Sequence, residues 1–336
     1  MKKAALQTLR FTAFLLLGLL LLYLAFRNTS IEELRNGLRG ANYKWLFPAF
    51  FISILAFISR ARRWVLLIGS LGYSPKLSHT FHAVMSGYLA NIALPRMGEV
   101  TRCVLLSRRE KIPVDKLFGT VILERTVDMI SLLLIMVVML ITSYDTIGPF
   151  LKDVVMIPLG AKITALFGST LAIRIITIST ALIITLLLFR YRKRIFGTKL
   201  YQRIREFLKG VFHGFSSFRS LEHKWEFIFH SVFIWVCYII MTWLVVFVIP
   251  ATSHLTLTDA IFLLVIGGLG MAAPVQSGLG AFHWIISRGL LLVYLIPLEE
   301  GLAYALVSHT SQMILIAVLG SISMIILISG IRKSSR

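Results

Sequence analysis

Three charged residues fall where a hydrocarbon interior is expected. The segment 117–142, LFGTVILERTVDMISLLLIMVVMLIT, is long and apolar enough to cross a bilayer, yet it carries Glu124, Arg125 and Asp128. Counting ~1.5 Å per residue from Leu117 sets Glu124 about 10 Å deep and Asp128 about 16 Å deep, near the middle of a ~30 Å core. Glu124 and Asp128 are four apart and share a helix face, while Arg125, three before Asp128, is placed to neutralise it in part. On insertion scales each central charge costs about 2.5–3.5 kcal/mol, so the three need a reason to be there. Two reasons are compatible: a self-neutralising network that locks helices together, and charges that line a cavity.

A second set of polar residues surrounds a helix that cannot continue. In 84–102, VMSGYLANIALPRMGEVTR, Pro95 removes a backbone donor and clashes with the preceding turn, so a break is expected near Leu94. Broken backbone survives at membrane depth only where protein or a water-filled cavity satisfies it, which turns Gly87, Asn91, Pro95 and Gly98 inward. Arg96, Glu99 and Arg102 follow the break and would line a pocket or the cytoplasmic rim. A second Gly/Pro-interrupted stretch, GGLGMAAPVQSGLGAFHW at 267–284, contains Pro274, Gln276, Gly278, Gly280 and His283. Paired interruptions of this kind point to a transporter's binding site.

Further candidates lie at a span end. SRARRWVLLIG, 59–69, places Arg60, Arg62, Arg63 and Trp64 before the hydrophobicity runs out, either snorkelling to the headgroups or lining a headgroup pocket. His79 and His82 lack any further ligand cluster, so no metal is expected, and Cys103 and Cys237 suit packing.

The elements that must position these residues are membrane helices. Of 336 residues 57% are hydrophobic and the mean hydropathy is +0.83, which excludes an ordinary soluble enzyme. The net charge of +20 sits in loops of one parity, so it reads as topology and attraction to anionic headgroups rather than nucleic-acid binding. Both termini are then cytoplasmic, in the cell membrane. We expect an all-α polytopic bundle forming one integral membrane domain, 1–336, with about six full spans and a possible inverted repeat. Two broken or re-entrant hairpins, 77–106 and 259–297, complete it, unless both members of each pair cross fully. Residues 27–44 suit a short surface helix, and 199–219 form a basic amphipathic helix lying on a cytoplasmic leaflet or packed on the bundle.

Taken together, SRARRWVLLIG, GYLANIALPRMGEVTRCVLL with ERTVD at 124–128, and PVQSGLGAFHW at 274–284 resemble the membrane domain of lysylphosphatidylglycerol synthases and related flippase-like proteins. The resemblance spans most of the chain and implies a membrane bundle that moves aminoacylated phosphatidylglycerol between leaflets. It also implies kinship with domains that accompany glycosyltransferases acting on polyprenyl-phosphate sugars. Asn91, Pro95, Gly98, Glu99 and Arg102 match its first motif, Glu124, Arg125 and Asp128 its second, and Pro274, Gly278 and Gly280 its third. The third departs from the pattern, because Gln276 and Ser277 precede Gly278 and His283 stands near an expected acid. The synthetase domain is absent, so this chain is not expected to make aminoacyl-lipid by itself.

The leading functional expectation is a membrane lipid translocase for an anionic or aminoacylated phospholipid or another lipid-linked substrate. Its phosphate would meet Arg96, Arg102 or Arg125, with Asn91, Glu99, Glu124, Asp128, Gln276 and His283 as further contacts. One alternative is a non-transporting scaffold of a lipid-modifying enzyme or glycosyltransferase, and another is a membrane enzyme acting on a lipid-linked substrate. No catalytic constellation or P-loop can be assembled, so no cofactor is expected. Partners are the lipid itself and either a second copy or an associated lipid-modifying enzyme.

Overall fold

The computed structural model describes residues 2–27, 29–94, 97–142, 179–180, 221–273 and 275–334. Arg96, Pro95 and Pro274, and the expected amphipathic helix 199–219, lie outside the described residues. The chain divides into two compact units, Met1–Thr142 with Arg219–Arg336, and Ser143–Phe218. The following concerns the first.

Its described residues fold into helices and turns. In chain order they are α1 (Lys2–Phe26), α2 (Ile31–Arg39), α3 (Leu46–Gly69), α4 (Leu77–Ala93), α5 (Met97–Glu110) and α6 (Val114–Thr142). After 221 come α7 (Lys224–Val246), α8 (Leu257–Ala272), α9 (Ala281–Tyr294) and α10 (Leu298–Ser334). Two satisfy length and composition for crossing a membrane: α7 and the Leu298–Arg332 part of α10. α1 and α2, bent by 88°, supply a third if that pair is one span. α3 and α6 are as long, at 24 and 29 residues, and carry the buried charges described below.

Local chemistry explains the boundaries. α2 begins at Ser30, whose hydroxyl accepts from Glu33 N, and Glu32 and Glu33 occupy its first turn while Arg39 occupies its last, each matching the helix dipole. α8 starts in a capping box between Thr256 and Asp259. α4 stops where the proline required it: Leu94, the residue before Pro95, is extended at φ −140° and ψ 125°. α8 and α9 are separated by a 3-10 turn, Gln276–Gly278.

Packing places the two interrupted segments side by side. α3 lies along α7, α10 along α4 and α9, α4 pairs with α5, and α8 pairs with α9. α8 also touches α6, and the 276–278 turn rests against α4 and α1. The interior holds Trp64, Met85, Leu106, Leu117, Ile234 and Tyr304. The outside is apolar as well. On α10 Ile314, Val318, Ile322 and Ile325 are exposed at successive turns, as are Trp225, Phe229 and Val232 on α7. Continuous apolar stripes facing outward are what a lipid solvent selects.

Candidate functional site

Arg60 and Arg63 are three apart on α3, and Glu124 and Asp128 are four apart on α6, so each helix presents two like charges on one face. Where the faces meet, both arginines bridge both carboxylates. Arg60 Nη1 lies 3.2 Å from Glu124 Oε1 and its Nη2 2.8 Å from Asp128 Oδ2. Arg63 Nη2 lies 2.6 Å from Asp128 Oδ1 and 3.4 Å from Glu124 Oε1. A third guanidinium arrives from α5, with Arg102 Nη1 2.9 Å from Glu124 Oε2. The planar fork of arginine suits this shared geometry in a way that lysine would not.

Neighbouring groups hold the cluster in place. The Arg102 guanidinium sits 4.6 Å from the Trp64 ring centroid, a cation–π contact. Trp64 Nε1 donates to Thr120 Oγ1 at 2.8 Å, and Thr120 in turn donates to Leu117 O at 2.7 Å. Arg63 Nη1 donates to Ser231 Oγ on α7 at 3.5 Å, a long contact.

The electrostatic balance is uneven. Arg60, Arg63 and Arg102 face Glu124 and Asp128, which leaves one positive charge in excess. Arg60, Arg63, Arg102 and Glu124 are all buried. The buried Nε of each arginine, and Nη2 of Arg102, have no hydrogen-bond partner. Buried donors carrying surplus charge are costly to leave unmet. They suit an anion.

The rim of the cluster is a separate pair. Arg125 Nη2 lies 2.9 Å from Glu99 Oε1, with side chains 43% and 26% exposed. Arg125 therefore does not neutralise Asp128, as its spacing had suggested; it follows Glu124 by about 100° round the helix and turns to α5. Arg60, Arg63 and Trp64 are interior groups rather than snorkelling ones, whereas Arg62 is 39% exposed and bonds Glu226 at 2.6 Å. The contrast is testable. Arg62→Ala should cost less than about 1 kcal/mol, because an exposed pair is worth little. Arg63→Ala should cost about 3–5 kcal/mol, because it breaks a fully buried ion cluster and leaves a cavity, even with Arg60 and Arg102 still reaching the two carboxylates. Thermal melts of the two purified variants side by side check it.

The first break abuts this cluster. Asn91 Oδ1 accepts from Gly98 N at 2.7 Å, replacing a bond that the interrupted helix cannot supply. A Cβ at Gly98 would overlap Gly87 O and the Asn91 amide, so glycine is what lets α4 and α5 approach here. The second break reaches the first: Ser277 Oγ donates to Asn91 O at 3.3 Å. Gly278 and Gly280 hold φ of +73° and +78°, backbone that favours glycine. Gln276 and His283 are buried in this second segment, and His309 of α10 donates from Nε2 to Ser277 O at 2.8 Å.

Sequence reasoning did not find Arg60 and Arg63 as partners of Glu124 and Asp128, nor the part of Thr120 and Ser231. A usable signal existed, since two arginines at i, i+3 in one apolar segment complement two carboxylates at i, i+4 in another. His79 bonds Glu110 and Arg109, and His82 Nδ1 meets Ser323 Oγ at 3.0 Å, all apart from the charged cluster. Among the described residues no group of His, Cys, Asp and Glu is arranged to hold a metal ion.

Comparison with known proteins agrees with the membrane architecture. No solved structure matches the chain. A UPF0104 membrane protein of Methanocaldococcus jannaschii is 25% identical over 336 residues, covering 96% of each chain. The family model described as the lysylphosphatidylglycerol synthase TM region matches residues 11–320. A chain whose described residues fold into helices and turns, matched over nearly its whole length in this way, is an integral membrane protein, and it belongs to the lysylphosphatidylglycerol synthase transmembrane-region family.

Proposed function

We propose that the protein moves a phospholipid or another lipid-linked anion between the leaflets of a membrane. The observation that carries this reading is the buried, net-positive arginine cluster set against two interrupted helical segments. A lipid phosphate approaching from the cytoplasmic side meets the half-exposed Glu99–Arg125 pair first, and exchange of that ion pair opens the way inward. Nε and Nη2 of Arg102 then donate to phosphate oxygens without displacing Glu124. The acyl chains remain in lipid.

In this reading α4–α5 and α8–α9 are hairpins that dip from opposite faces, with both termini cytoplasmic, in keeping with basic residues at 108–116 and 332–336. Reconstitution tests it. With acyl-labelled fluorescent phosphatidylglycerol in both leaflets, a membrane-impermeant quencher should reach only the outer pool in protein-free liposomes and the whole pool in liposomes holding the protein. Selective movement of one headgroup over phosphatidylethanolamine supports translocation. Quenching limited to the outer pool for every anionic lipid tried contradicts it.

A further inference from the structure

A groove away from the charged cluster follows α10 toward its C-terminal end. Ser321, Ile325, Ile328 and Arg332, spaced four, three and four, form one stripe along its floor, in a cavity of about 630 Å³. Leu89 of α4 closes its inner end, because α4 meets α10 at Gly320, where an added Cβ would lie 2.8 Å from Leu89 Cβ. Arg332 stands exposed at the other end. Arg109, at the end of α5, donates from Nη1 to Gly330 O, which sets a second guanidinium within a turn of Arg332 along α10.

The groove has the depth of one leaflet. At ~1.5 Å per residue Ser321 and Arg332 are about 16 Å apart, half of a ~30 Å hydrocarbon core. Arg332, Lys333 and Arg336 mark the headgroup level, so Ser321 falls near the midplane. The floor is apolar to an occupant: Ile325 is 68% exposed, and Ser329 spends its hydroxyl on Ile326 O of its own helix. Among the described residues no carboxylate lines it.

A second copy of the chain is a poor occupant. Copies in one membrane share an orientation, so a two-fold contact along this stripe sets two Arg332 side chains together with nothing acidic between them. A lipid phosphate meets no such conflict, and basic residues at a membrane surface attract it.

We infer that the groove holds one anionic phospholipid from the leaflet at the C-terminal end of α10, with a hydrocarbon chain along 321–328 and its phosphate at Arg332 and Arg109. The groove shares no residue with the arginine–carboxylate cluster. This lipid is a bound component beside α4, distinct from any lipid that passes the cluster, and its site stands whether or not the protein moves lipid.

The test is photolabelling of the full-length protein in phosphatidylethanolamine liposomes that contain a minor fraction of phosphatidylglycerol with a photoactivatable chain. Adducts are mapped onto peptides by mass spectrometry. Labelling of 321–332 should reach a plateau as the probe rises, and unlabelled phosphatidylglycerol should displace it. A phosphatidylethanolamine probe of equal chain should label the segment about fivefold less, and so should the phosphatidylglycerol probe on Arg332→Ala, the loss expected for one basic residue facing an anionic lipid. Ile325→Trp fills the groove from an exposed position, should abolish the plateau, and keeps the test open if Arg332→Ala fails to fold.

Labelling that rises in proportion to the probe, or equal labelling by the two probes, overturns the inference, since the groove then holds bulk lipid. So does undiminished labelling of folded Arg332→Ala. Ser329→Cys addresses the second copy: Cys103 and Cys237 are buried, so a disulfide-linked dimer in liposomes reports contact across the groove and overturns the inference as well. Saturable labelling without leaflet movement upholds this site while refuting translocation; movement without saturable labelling does the reverse.

Discussion

Glu124→Gln is expected to lower stability by about 3–5 kcal/mol, the cost of removing one partner from a buried ion cluster. Glu124 is fully buried and is the carboxylate that Arg60, Arg63 and Arg102 all reach. Replacing it leaves Asp128 as the carboxylate set against three guanidiniums, of which Arg102 no longer has a partner, a surplus of two positive charges in place of one. Asp128→Asn should cost less, since two arginines reach it rather than three and its side chain is 12% exposed rather than fully buried. Thermal melting of both variants in one detergent decides the order. A Glu124→Gln melt equal to that of the unmodified protein would mean that the cluster does not hold α3, α5 and α6 together.

Gly98→Val should be the most damaging change at the first break, at about 2–3 kcal/mol, the range for forcing extra methyls into a packed contact. The added Cβ meets backbone Gly87 O on one side and the Asn91 amide on the other, and a backbone atom has nowhere to yield. The Asn91–Gly98 bond would be lost as α4 and α5 move apart. Asn91→Ala removes the same bond without overlap, so it should cost about 1 kcal/mol. If the two variants melt alike, hydrogen bonding and not close approach governs the hairpin.

How much of this was legible in the sequence depends on whether the cause was local. The break at Leu94 was, because Pro95 constrains its own neighbours whatever surrounds them. So was a short helix within 27–44, found at Ile31–Arg39, and so was the burial of Glu124 inside a membrane-length helix. The partner of Asp128 was not. Helix spacing pointed to Arg125 on the same helix, but α3 packs across α6 and brings two arginines whose forks span both carboxylates at once. That contact is tertiary, and no spacing rule within one segment reveals it. Arg60 and Arg62 illustrate the same limit: two residues apart in one basic run, one is interior and the other pairs with Glu226 at the surface. Gln276 and His283 were legible as polar residues in a broken segment, but their lack of partners could be seen only once the neighbours were in place.

Lipid that passes through the charged site must pass the rim pair, so the leaflet-movement assay is run on variants of that pair. Glu99→Gln and Arg125→Ala alter the partly exposed pair and leave the Arg60, Arg63, Arg102, Glu124 and Asp128 contacts intact. Both variants should therefore melt within about 1 kcal/mol of the unmodified protein. Each, fully folded, should move phosphatidylglycerol several-fold more slowly than the unmodified protein. Folded variants that move it at the unmodified rate would contradict the claim and place the lipid path elsewhere on the bundle.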